Sequence, residues 1–206
     1  MQEDIMTESS MKVIPTNPQA EQQNEEEKSQ ARLDYEEGMR YLDNQDLAMA
    51  ANAFHNALMG WEEEGDQHGV ANASDKLGDL CVERGDYDKA FAFYDRAYEI
   101  CSTDFDRYSL FTLERKKAAL YLKMERHEDA LDLYWDIFDE YSGNRDPKGV
   151  VETLETMATI FVSLGDKEKA ADCYQMIAKT HRNFKHAEEA TEYENKAAEI
   201  RQEPRA

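Results

Sequence analysis

The chain has 206 residues, enough to bury a sizeable core in one domain or two small ones. Its 33% charged and 41% hydrophobic residues, with only 9 Gly and 4 Pro, favour helix over a turn-rich β protein. A formal net charge of −21 sets strong repulsion against any phosphate backbone and argues against nucleic acid as a partner. No apolar run approaches the roughly 18 residues of a membrane span, and the start MQEDIMTESS has neither the basic residues nor the apolar stretch of a signal peptide. A cytoplasmic protein with no membrane contact is expected.

Residues 1–18 carry no periodic apolar pattern and are expected to form a disordered acidic tail. Residues 19–30 are polar helix formers, expected to extend the first helix outward.

From residue 31 the sequence matches itself at a shift of 40, which divides it into repeats 31–70, 71–110, 111–150 and 151–190. Small residues align at Gly38, Gly78, Ala118 and Ala158, and three positions later stand Tyr41, Cys81, Tyr121 and Phe161. Alanine recurs at Ala50, Ala90, Ala130 and Ala170. Phe54, Tyr94, Tyr134 and Tyr174 follow, then Ala57, Ala97, Ile137 and Ile177. Each repeat thus holds two stretches of helical periodicity separated by a polar turn, which predicts a helical hairpin. In the turns (Asn44 to Asp46, Arg84 to Asp86, Glu125 and Arg126, Leu164 to Asp166) a Gly or polar residue is suited to end one helix and Asp to cap the next. Between hairpins, Asp66, Asp106 and Asp146 are suited to the same capping, followed by Gly69, Ser109 and Gly149. The segment from His186 to Arg201 places Ala187, Ala190, Ala197 and Ile200 at helical spacing, and residues 185–201 are expected to cap the open end of the stack. The predicted architecture is an all-α solenoid of four hairpins plus a C-terminal capping helix.

The small, aromatic, alanine, aromatic and small-or-apolar series resembles the tetratricopeptide repeat (TPR) at its eighth, eleventh, twentieth, twenty-fourth and twenty-seventh positions. The resemblance covers residues 31–190. The usual early tryptophan is replaced by Asp34, Ser74, Glu114 and Leu154, and the usual closing proline by Glu62, Ser102, Ser142 and Arg182. The period exceeds the commoner 34 residues by about six, which are expected in a longer second helix and in the link between hairpins. The stretch from Gly65 to Val70 is similar to the link of a long-repeat subgroup that binds peptides and amphipathic segments of signalling proteins.

The resemblance implies that the first helix of each hairpin lines a concave groove. Its ligand-facing positions correspond to Tyr35, Met39 and Leu42, then Asn72, Asp75, Asp79 and Val82. In the third repeat they correspond to Arg115, Leu122 and Lys123, with Lys116 beside them, and in the fourth to Glu155, Thr159 and Val162. Leu42, Val82, Leu122 and Val162 form an aliphatic row that either receives the apolar face of a partner or packs between hairpins. The basic band of Arg115, Lys116 and Lys123 either seats an acidic segment or is a solvated helix face with i,i+4 pairing. The places where chaperone-tail binders carry Lys and Asn hold Tyr35 and Met39, so that ligand is not expected.

No P-loop, zinc-protease or nucleophile-elbow motif occurs. His55, His68, His127, His181 and His186 show no metal-ligand spacing and are expected on the surface or in loops. Cys81, Cys101 and Cys173 fall at apolar positions, as buried reduced thiols do, with a redox or metal role as the alternative. Trp61 and Trp135 are expected in the core or between repeats. No cofactor or metal is implied. The expected function is a non-enzymatic adaptor that holds a partner peptide or helix. The alternatives are a peptide-responsive sensor, a dedicated client chaperone, or a non-catalytic subunit of an enzyme complex. Oligomeric state is not encoded in these patterns.

Overall fold

The computed structural model describes residues 28–103 and 106–202. The tail expected at 1–18 and the residues 19–27 of the expected helix extension lie outside them. The described residues form an all-helical array: α1 (Gln30–Asp43), α2 (Leu47–Glu64), α3 (Gln67–Arg84), α4 (Tyr87–Thr103), α5 (Arg107–Lys123), α6 (His127–Gly143), α7 (Pro147–Ser163), α8 (Lys167–Asn183) and α9 (Ala187–Gln202). Each helix packs on the next in sequence, so four hairpins stack in order and α9 closes against α8.

Helices α2 to α8 have 17 or 18 residues and only two or three residues separate neighbours. The links between hairpins are therefore as short as the turns within them, and the residues expected there lie in both helices instead. The reason is local. At Gly65, in left-handed conformation with φ 75°, the chain reverses, and Asp66 N–H donates to the Trp61 carbonyl at 2.9 Å. The Asp66 carboxylate then accepts from Gly69 N–H at 3.0 Å, so one residue ends the first turn and opens the next helix. Asp46, Asp106, Asp146 and Asp166 cap in the same way. Where Gly is lacking, Gln45, Glu125, Arg145 and Lys185 take the left-handed position.

The register residues meet inside each hairpin. Ala50, Ala90, Ala130 and Ala170 are fully buried, as are Ala118 and Ala158. Phe54 lies against Gly38 so closely that a Cβ there would sit 2.7 Å from its ring, and Tyr94 against Gly78 at 2.5 Å. Between hairpins the fit repeats: Gly69 faces Trp61 and Gly149 faces Tyr141. Trp61 is 4% exposed, but Trp135 is 41% exposed and lies edge-on to Phe138, so the core placement expected for it does not hold. Trp135 shares its register position with His55, Asp95 and Gln175, a solvent-facing row.

Both ends are polar versions of the same hairpin. Gln30, Glu37 and Arg40 stand in α1 where α3 has Val70, Leu77 and Leu80. In α9 the aromatic slot holds Arg201, which pairs with Glu168 at 3.2 Å and Asp172 at 2.7 Å on α8. A solenoid that ended on Tyr or Phe there would expose an apolar layer.

Candidate partner-binding trough

Because α5 and α7 begin at their capping Asp, each extends four residues ahead of the register position taken as the repeat start. The side chains one turn apart on α5 are therefore Tyr108, Thr112, Arg115, Ala119 and Leu122. Tyr108 is 82% exposed and was not among the residues that the sequence singled out; its signal was its place two residues after the predicted cap Asp106.

Three clefts join along this row. The first, about 180 Å³, lies between α3 and α5 and is lined by Asn72, Asp75, Tyr108 and Thr112 among others. The second, about 440 Å³, has Thr112, Arg115 and Ala119 on one side, Glu152 and Thr156 on the other, and Tyr134, Ile137 and Tyr141 as its floor. The third, about 600 Å³, continues past Leu122 and His127 to Glu155, Thr159 and Ser163. Shared residues make them one trough across the first helices of the last three hairpins.

The charged bands do not stand free of one another. Lys116 Nζ lies 2.5 Å from Asp75 Oδ1 and 2.8 Å from Asp79 Oδ1, joining the basic third repeat to the acidic second. Burial opposes the Lys116 charge, but the hydrogen bonds to both aspartates outweigh it and hold the ammonium above the usual lysine range. Asp79 also accepts from the Tyr94 hydroxyl at 2.7 Å; burial and that carboxylate push the phenol far up. Lys117 pairs with Asp95 at 2.6 Å and lies 5.0 Å from the ring centres of Phe91 and Tyr98. Arg115 is different. It is exposed, makes no ion pair among the described residues, and holds its guanidinium 5.8 Å from the Tyr141 ring centre. Thus the basic band divides: both side chains line the second cleft, but Lys116 is held by two aspartates while Arg115 stands there without an ion pair. Lys123 is exposed in the last turn of α5 and lines none of the three clefts.

The other candidates are placed as follows. Tyr35 packs on Phe54 and Trp61 at 5.2 and 5.3 Å between ring centres, while Met39 is exposed at the edge of α1. Leu42, Val82 and Leu122 lie partly buried against the hydrophobic clusters of their own regions, and Val162 is 47% exposed, so the aliphatic row is not one uniform surface. Glu155 accepts from the Tyr193 hydroxyl of α9, which ties the capping helix to the trough wall.

Residues 29–103 match the tetratricopeptide repeat family pattern. A solved structure of the nearly identical TPR-like repeats of a Podosopora anserina protein designated a kinesin light chain superposes with a TM-score of 0.60. It has 12% identity and covers 82% of this chain and 94% of that one. The fold is a TPR-like solenoid. The solenoid also resembles the apo form of RapI (TM-score 0.68, 13% identity, 84% of this chain and 49% of that one). NprR in complex with its cognate peptide NprX gives 0.56, 15%, 84% and 56%. The solenoid spans about half the length of those two proteins. No curated protein matches the chain.

Chemistry in the solenoid is sparse. Among the described residues no group of three or more His, Cys, Asp or Glu lies together to hold a metal ion, and no helix is long and apolar enough to cross a membrane. Cys173 is buried and its thiol is pushed up to about 11 by burial; Cys81 is half-buried and raised for the same reason. Such thiols are poor nucleophiles. Two histidines depart from the expected surface placement. The His181 ring stacks on Tyr193 at 5.5 Å, half-buried between α8 and α9, and His127 Nδ1 is buried without a hydrogen-bond partner.

Proposed function

We propose that the protein is a non-catalytic adaptor that holds a peptide segment of another protein along the trough, with a carboxylate of that segment on Arg115. The exposed, unpaired Arg115 carries this reading: its neighbours Lys116 and Lys117 are neutralised by aspartates, whereas Arg115 is offered to solvent between Tyr141 and Thr112. A guanidinium held on an aromatic face is preorganised for bidentate contact with a carboxylate. Tyr108 beside it and the Tyr134 and Tyr141 floor supply apolar contact. The alternative of a peptide-responsive sensor is favoured by the likeness of fold to NprR, solved with its cognate peptide.

Affinity capture from native extract with the wild-type chain, Arg115→Glu and the two-site variant Arg115→Glu/Ala119→Arg tests the reading. A partner recovered by the wild type and lost from both variants supports it. An unchanged protein profile overturns it. Compaction of the solenoid on adding the captured segment, read by small-angle scattering, selects the sensor over the passive adaptor.

A further inference from the structure

A second recess adjoins the trough across Tyr141 and Glu152, where the C-terminal ends of α6 and α8 meet the start of α7. Two adjoining cavities, about 370 and 510 Å³, share Pro147, Thr180 and Phe184. Phe138, Val151 and Met176 form their apolar floor, and Phe184 is 51% exposed at the mouth. Arg145, Lys148 and Lys179 stand round the rim. Arg145 and Lys179 have no ion pair among the described residues, and Lys148 reaches only Glu152, at 3.8 Å with both side chains largely exposed. Of the two carboxylates present, Asp146 is occupied in capping α7 through Lys148 and Gly149 N–H, and the other is Glu152. In a chain of net charge −21, this is an apolar recess with a cationic rim.

We infer that this recess holds the chain's own N-terminal segment, residues 3–8, with Ile5 and Met6 on the apolar floor. Glu3, Asp4 and Glu8 then face Arg145, Lys148 and Lys179. The segment has the complementary pattern, an aliphatic pair bracketed by three carboxylates. The trough is a poorer seat for it, because Asp75 and Glu155 line it in addition to Glu152, which it shares with the recess, and Lys116 is already neutralised. Reach is sufficient: the roughly 20 residues between Glu8 and Lys28 span up to about 65 Å when extended. Three hairpin layers at 8–10 Å separate α1 from the recess by roughly 30 Å.

Zero-length carbodiimide cross-linking of the full chain, followed by peptide mapping, tests the docking. Links from Glu3, Asp4 or Glu8 to Lys148 or Lys179 are expected, and Ile5→Asp/Met6→Asp is expected to cut their yield at least about fivefold. Arg145→Glu/Lys179→Glu, at two exposed positions, is expected to remove the remaining links to Lys148 without shifting the melting temperature. Links from residues 3–8 that fall mainly on Lys116 or Lys123, or spread evenly over the lysines, overturn the inference. So does a mixture of isotopically light and heavy chains in which the links join different molecules only.

Discussion

A Cβ added at Gly69 would lie 2.2 Å from the Trp61 ring, and the same relationship recurs 80 residues on between Gly149 and Tyr141 at 2.3 Å. The intervening pair at this register is smaller on one side and larger on the other, Cys101 and Ser109. Ring and glycine together set how closely one hairpin sits on the next. Gly69→Ala and Gly149→Ala should each lower stability by about 1–3 kcal/mol through overpacking, read as a shift of the urea midpoint. Gly143→Ala, whose Cβ meets nothing within 4 Å, should not destabilise.

Four turns use a residue with a side chain where Gly65, Gly85 and Gly165 take φ near 76°. The left-handed conformation costs such a residue roughly 1–2 kcal/mol, partly offset by the greater freedom glycine has when unfolded. Glu125→Gly and Gln45→Gly should each raise stability by about 0.5–1 kcal/mol, and the pair, lying in different hairpins, should add. Calorimetry that shows no rise for either would contradict this account of the turns.

Ser74 occupies the early-tryptophan position of the second repeat, is fully buried, and leaves its Oγ without a partner. Leu154 fills the same place in the fourth repeat with no exposed surface. Ser74→Ala removes the orphan hydroxyl and should be neutral or stabilising by up to about 1 kcal/mol in the same melts.

Lys116 and Arg115 are neighbours in sequence with opposite duties. Lys116→Met leaves Asp75 and Asp79 facing each other without the ammonium, and should cost about 1–3 kcal/mol. Arg115→Ala should leave the melting temperature within about 1 °C while weakening partner capture. Paired thermal and binding measurements separate the two, and a large loss of stability for Arg115→Ala would remove it from the ligand-binding role.

Burial, with Asp79 beside it, raises the Tyr94 phenol above its ordinary value of 10.0. The folded state therefore keeps the proton that the unfolded chain releases. That contribution is fully present below about pH 10 and is lost as pH rises through the folded value. Lys116, also raised from 10.5, acts in the same direction. Denaturant midpoints measured from pH 9 to 11 should fall less steeply in Tyr94→Phe than in the wild type.

Much of the fold was legible because the 40-residue register names positions that serve one purpose in every copy. Ala50, Ala90, Ala130 and Ala170 face the same neighbouring helix, and Asp66, Asp106 and Asp146 cap the same turn, so each was readable from recurrence alone. Helix starts were less legible: the repeat register fixed which residues align, not where the first helix begins. Tyr108 was missed for that reason. Trp135 was misplaced because an indole in an amphipathic helix suggests core, whereas its register row belongs to solvent.

By itself the sequence determined the hairpins, their caps, their small-to-aromatic packing and the polar closure at the C-terminus, since these depend on neighbours within a few turns or at a fixed 40-residue spacing. Tertiary structure decided which charges are free. Lys116 and Asp75 are 41 residues apart and meet only because α3 and α5 lie side by side, while Arg115 differs from Lys116 by a rotation of about 100° around one helix. That rotation turns one cation into an α3 aspartate pair and leaves the other without an ion pair at the trough.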